Sequence, residues 1–306
     1  MMGPCRRILL SFTLPVLALA ASADDHTGGT AGRFRSDSSM VLVPVTVTDP
    51  IGRPVLTLAS ENFQVTEDDH VRAVRYFGKE EAPLSVAVVL DWSESMANQT
   101  GKIREAMERF MAAANPEDEF CLVELRDRAE LVRPFGASAA EVLNLTKTAE
   151  AAGHTALLDG MYLALNQMRK ARFARKALFV ISDGGDNHSR FRTREVRDLA
   201  LESDTAIYAV ELRRYTNMWV PEGSGILEAL AAQSGGRDYV VESEREIADA
   251  AERIGWELRS QYLLGFIPSG LTSDGKYHRL RVQVMQPTGQ PKLSAYWRRG
   301  YYAPQR

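Results

Sequence analysis

The chain has 306 residues, 37 basic and 40 acidic side chains, a formal charge of −3 and 45% hydrophobic composition. Nothing in that balance suggests a nucleic-acid surface or a polybasic membrane patch. The length admits one large domain or two modest ones.

Residues 1–23 read as a signal peptide. Arg6 and Arg7 precede an apolar run from Ile8 to Ala21, and Ala21-Ser22-Ala23 supplies small residues for cleavage. The run is short for a membrane span. The expected product is therefore secreted or periplasmic, with no span left after cleavage. Cleavage removes Cys5 and leaves only Cys121, so the fold must be stabilised by its core rather than by a disulfide. Cys121 sits in the strand-like Glu119 to Leu125 and is expected to be a buried, inert thiol. Residues 24–39, rich in Gly, Ser, Thr and charge, read as a flexible lead-in.

Residues 40–80 read as an N-terminal β segment. Val41, Val43, Val45 and Val47 alternate with Leu42, Pro44, Thr46 and Thr48 at period two, and Pro44 points to an edge strand. Asp49 to Pro54 is turn chemistry, and Phe63 to Glu67 and Val71 to Phe77 are two further short strands.

Residues 83–261 change character. Strands are predicted at 84–91, 119–126, 129–135, 176–183, 205–212 and 237–242. Helices are predicted near 99–114, 138–151, 156–172, 193–203, 224–234 and 244–261. The alternation implies an α/β, Rossmann-like domain: a mostly parallel six-stranded sheet with helices on both faces. The short link between 119–126 and 129–135 makes one of that pair antiparallel, at a sheet edge. Residues 262–306 return to β patterning, with Leu280, Val282 and Val284 alternating with polar residues. Neither β flank is large enough to stand alone. They are expected to pack together as a small β-sandwich, with the α/β domain inserted between them.

The residues that carry chemistry lie where strands end. The first strand of the α/β domain closes on Leu90-Asp91-Trp92-Ser93-Glu94-Ser95-Met96, one carboxylate and two hydroxyls at i, i+2 and i+4. Such oxygens suit a hard divalent cation. A second loop, Gly153-His154-Thr155-Ala156-Leu157, precedes a helix, where Thr155 also suits an N-cap. A third apolar strand ends on Ser182-Asp183-Gly184-Gly185-Asp186. In open α/β sheets, sites form beyond the carboxyl ends of strands. Each signal is weak singly; their order at the ends of suitable elements joins them.

With those residues in place, the chain resembles a von Willebrand factor type A (VWFA) domain over 83–261, with a metal-ion-dependent adhesion site at Asp91, Ser93, Ser95, Thr155 and Asp183. The flanks Val41 to Asp49, Asn62 to Asp68 and Arg299 to Pro304 are similar to a bacterial VWFA-related family abundant in Acidobacteria. The resemblance implies that the serines and the threonine ligate the cation directly and that the aspartates act through water. It implies Mg²⁺, or another divalent cation such as Mn²⁺ or Ca²⁺, and a protein partner whose Asp or Glu fills an open position. Glu94 and His154 stand where that family often has glycine. Trp92, Glu94, His154 and Asp186 are candidates for a partner-contact rim.

The function expected is an exported, adhesion-type binding module. The alternative is a structural or scaffolding envelope protein whose metal site is not essential. No nucleophile elbow, His-Glu-x-x-His, Cys-x-x-Cys or phosphate-binding glycine loop is present, so catalysis is not expected.

Overall fold

The computed structural model describes residues 40–79, 82–213, 225–268, 274–286 and 291–303. The predicted signal peptide and lead-in lie outside the described residues. In chain order the first strands are β1 (Val41–Thr48), β2 (Phe63–Glu67), β3 (His70–Arg72) and β4 (Val74–Lys79). The α/β domain follows: β5 (Leu84–Asp91), α1 (Thr100–Ala112), β6 (Glu119–Leu125), β7 (Ala129–Ala137), α2 (Ala139–Thr146) and α3 (Leu157–Gln167). It continues with β8 (Arg175–Ser182), α4 (Thr193–Glu202), β9 (Thr205–Leu212), α5 (Ile226–Ser234), β10 (Asp238–Val241) and α6 (Glu244–Arg259). The last strands are β11 (Gln261–Phe266), β12 (Tyr277–Val284), β13 (Ser294–Tyr296) and β14 (Gly300–Tyr302).

The central sheet has the order β10-β9-β8-β5-β6-β7. All its neighbours are parallel except β6 and β7, whose antiparallel pairing puts β7 at the edge. β5 is buried along its whole length, as a strand covered by helices on both faces must be. Its period of two divides it between the two layers. Val86, Val88 and Leu90 pack with α1 and α6, while Ala87 and Val89 pack with α3, α4 and α5.

The predicted helix at 138–151 is shorter in the structure, ending at Thr146. Its start is fixed by a capping box, in which the Ser138 hydroxyl accepts from the Glu141 N–H and the Ser138 N–H donates to Glu141. At its end, Arg104 on α1 donates to the Thr146 and Ala149 carbonyls at 3.0 and 2.8 Å. These bonds satisfy terminal carbonyls and turn the chain toward the second site loop.

The two β flanks share one core. Sheet β13-β1-β11-β4 faces sheet β14-β12-β2-β3 across Val43, Val45, Phe63, Tyr262, Leu264 and Val282. β1 pairs directly with β11, Val43 opposite Leu264, so strands on either side of the α/β domain close a single sandwich. The edge position expected from Pro44 is corrected: β1 is an inner strand. β13 pairs only with Thr46–Thr48, so Pro44 lies on a stretch of β1 with one open side, where a missing N–H costs little.

Candidate metal centre

β5 and β8 lie side by side, and the chain leaves β5 for β6 on one side and enters β8 on the other. Their carboxyl ends are therefore the switch point at which open α/β sheets form sites. Asp91 is fully buried at the end of β5. Its Oδ1 accepts from the Ser93 N–H at 2.9 Å and its Oδ2 from the Ser182 hydroxyl at 2.6 Å. Burial nevertheless pushes its pKa up to about 6, against the hydrogen bonds from Ser182 and Ser93, and the nearby charge of Asp183 adds to the rise.

The three predicted loops form a closed triangle of hydrogen bonds. The Ala152 N–H donates to the Trp92 carbonyl at 2.8 Å and the Glu94 N–H to the Gly153 carbonyl at 3.0 Å, joining the first loop to the second. The Asn187 and His188 N–H groups donate to the Thr155 carbonyl, each at 3.2 Å. In return the Thr155 N–H donates to Asn187 Oδ1 at 3.2 Å, so the second loop is joined to the third. The Ser182–Asp91 bond closes the third side. Within it Ser93 Oγ lies 3.0 Å from Ser95 Oγ, and Asp183 Oδ1 accepts from the Gly185 N–H at 3.1 Å. Gly153 is required in the second loop. Its φ is +78°, and a Cβ would lie 2.5 Å from Asp127 Oδ1 and 2.9 Å from the Asp127 nitrogen.

These donors fit a hard divalent ion. An octahedral ion with ligands at about 2.0–2.1 Å sets neighbouring oxygens about 2.9 Å apart, close to the Ser93–Ser95 separation. Asp91 and Asp183 place two carboxylates in one partly desolvated site, which a cation relieves. Among the described residues no group of three or more His, Cys, Asp or Glu side chains could hold a metal. The candidate site relies instead on hydroxyls.

The predicted rim divides. Glu94 and His154 are exposed beside the site. His154 is held by Asp127, which accepts from its N–H at 3.0 Å and lies 3.1 Å from its Nδ1. Its ring stacks on that of His188 at 5.5 Å. Trp92 is not on the rim. It is 0% exposed, packs in the core layer of α1 and α6, and lies 6.0 Å from the Arg104 guanidinium. Asp186 braces the loops rather than facing a partner: its Oδ1 accepts from the Leu157 N–H at 3.0 Å and the Ser189 hydroxyl at 2.6 Å. Asp186 thus caps the start of α3 from another loop, the role that Thr155 suited on sequence grounds, and Ala156 is the N-cap residue.

Ser182 and Asp127 were not singled out as site residues in the sequence, yet each orients one. Ser182 carried a signal: Leu90 pairs with Ile181, which sets Asp91 next to Ser182, a polar neighbour in otherwise apolar strands. Behind the third loop lies a second acidic pair. Glu211, 1% exposed, accepts from Arg213 at 2.7 Å and packs against Gly184. Asp238 beside it is pushed up to about 8, first by burial and then by the charge of Glu211. An acid raised in this way loses stability with rising pH. The unfolded chain releases the proton near 3.8 and the folded chain only near 8, so stability falls through that window and levels off above it. Asp238→Asn is expected to flatten this part of the profile in urea melts. An unchanged slope would show that Asp238 ionises normally.

Residues 86–185 match the family model for the von Willebrand factor type A domain. Among solved structures it is similar to a von Willebrand factor type A protein from Catenulispora acidiphila, with 13% identity and a TM-score of 0.50 over 89% of this chain and 75% of that one. It is also similar to BatB from Bacteroides thetaiotaomicron, with 16% identity and a TM-score of 0.46 over 58% and 100% of the two chains. A third similar structure is proximal thread matrix protein 1 from the mussel byssus with a zinc-occupied MIDAS motif, with 18% identity and a TM-score of 0.49 over 61% and 48%. No curated protein matches the chain. At these identities the likeness concerns the fold.

Proposed function

We propose that this chain is an exported, non-catalytic binding module that grips an acidic residue of a protein partner through a divalent cation. The observation that carries this reading is the hydrogen-bonded triangle of loops that gathers Asp91, Ser93, Ser95, Thr155 and Asp183 at the β5–β8 switch point. Ser93, Ser95 and Thr155 would ligate the ion, and Asp91 and Asp183 would hold its waters. Three neutral hydroxyls leave Mg²⁺ under-neutralised, so when bound it supplies an electrophilic position for a carboxylate. Ser182 and the Ser93 N–H fix the orientation of Asp91 in advance. Exposed Glu94 tunes the approach of an acidic partner by repulsion.

The side chains near the serines favour binding over catalysis. The Ser93 hydroxyl meets Ser95, and the His154 ring is engaged with Asp127 and His188. Export rests on the signal-like residues 1–23; among the described residues no helix is long and apolar enough to cross a membrane.

A displayed library of random peptides, panned on the purified chain in Mg²⁺, tests this reading. Retained peptides are expected to share an Asp or Glu, to elute with chelator and to be lost on Thr155→Ala. Retention that ignores both chelator and that substitution would refute it.

A further inference from the structure

At the opposite end of the central sheet, where Leu84, Lys176 and Ala206 lie at or next to the amino ends of β5, β8 and β9, a cavity of about 310 Å³ opens. The β-sandwich supplies Leu42, Pro44 and Leu263 to its wall, and the α/β domain supplies Phe173, Ala206 and Leu258. We infer that this cavity binds a small amphiphile with an apolar body and one anionic end.

The size and place suit such a ligand. Small-molecule pockets run from about 300 to 1,000 Å³, are mostly apolar with few polar groups, and favour seams between domains. The charge of the wall decides the polar end. Arg298 is paired with Asp204 and donates to the Leu42 carbonyl at 2.7 Å. Arg175 donates to the Ala82 carbonyl at 2.7 Å and the Leu258 carbonyl at 2.6 Å. Both arginines are thus engaged in holding the seam, and Asp204 is neutralised. Lys176 is the remaining charged residue of the wall. It is half-buried, and its ammonium has no carboxylate or hydrogen-bond partner among the described residues. A half-buried lysine on an apolar wall with no carboxylate beside it favours an anion. A neutral or cationic head would leave it unpaired.

The ligand would also touch both chain crossings between the domains, since Ala82 and Pro83 line the cavity on entry and Leu258 and Gln261 on exit. Binding is therefore expected to raise the melting temperature of the whole chain as well as to give heat.

Calorimetry with dodecanoate below its micelle concentration tests the inference, with dodecanol and dodecyltrimethylammonium as neutral and cationic comparisons. One dodecanoate per chain is expected, with micromolar Kd. Lys176→Gln should weaken it about tenfold, the scale of one charge-assisted contact, and leave dodecanol unaffected. Ala174→Trp, at an exposed position on the cavity wall, should abolish binding while circular dichroism stays native. The inference is overturned by no binding to the unaltered chain, by binding that Ala174→Trp leaves intact, or by all three probes binding alike.

Discussion

Mg²⁺ is expected to stabilise the chain, and replacing Asp91 with alanine is expected to abolish that stabilisation. An ion that binds only the folded state at a hundredfold its Kd stabilises by about 2.7 kcal/mol, and the unaltered chain should show a corresponding rise in melting temperature over chelator. Asp91 anchors the site between the Ser93 N–H and the Ser182 hydroxyl, so its loss removes both a ligand-side charge and the alignment of the first loop. Without metal the variant should lose about 1–3 kcal/mol, because two donors at a buried position are left unpaired. Part of that loss is offset, since burial already disfavours the Asp91 carboxylate. Thermal denaturation of both chains in Mg²⁺ and in chelator separates the two effects. A variant that keeps the full Mg²⁺ shift would place the ion elsewhere.

Glu257→Ala is expected to be the most damaging single change to stability, costing about 3–5 kcal/mol, as removal of one member of a buried ion pair does. Glu257 is 0% exposed on α6. Its Oε1 accepts from both Arg237 and Tyr239. The Arg237 guanidinium also lies over the ring of Tyr239 at 4.6 Å and that of Tyr296, on β13 of the sandwich, at 4.3 Å. Truncating Glu257 leaves a mostly buried cation unpaired at the joint between the α/β domain and the sandwich. The double variant Glu257→Met with Arg237→Met should recover most of the loss, because both desolvation penalties go together. Urea midpoints for the two variants decide the matter. A single-variant cost below about 1 kcal/mol would mean that the pair is solvated.

Much of this architecture was legible because the signals are local. Asp91, Ser93 and Ser95 are spaced within one loop, and Asp183 closes an apolar strand, so both strand ends can be recognised without knowing what lies beside them. The alternation of strands and helices that gives the central sheet is local in the same sense, and so is the short β6–β7 connection that makes one of those strands antiparallel. What was not legible depends on neighbours distant in sequence. Ser182 matters only because the register of β5 and β8 sets it against Asp91. Trp92 has a side chain equally suited to a rim or a core, and the packing of α1 and α6 takes it inward. α2 stops short where Arg104, some forty residues earlier, captures the carbonyl of its last residue, Thr146, and that of Ala149 beyond it. Pro44 suggested an edge because sequence shows the missing N–H but not the length of the neighbouring strand.

Titration of Mn²⁺ into the chelator-stripped chain, followed by calorimetry for the unaltered protein and for Ser93→Ala, tests the metal site most directly. One ion per chain, with binding lost in the variant, is the expected result. No heat at millimolar ion, or one ion bound equally by both chains, would contradict the assignment of Asp91, Ser93, Ser95, Thr155 and Asp183 as a cation site.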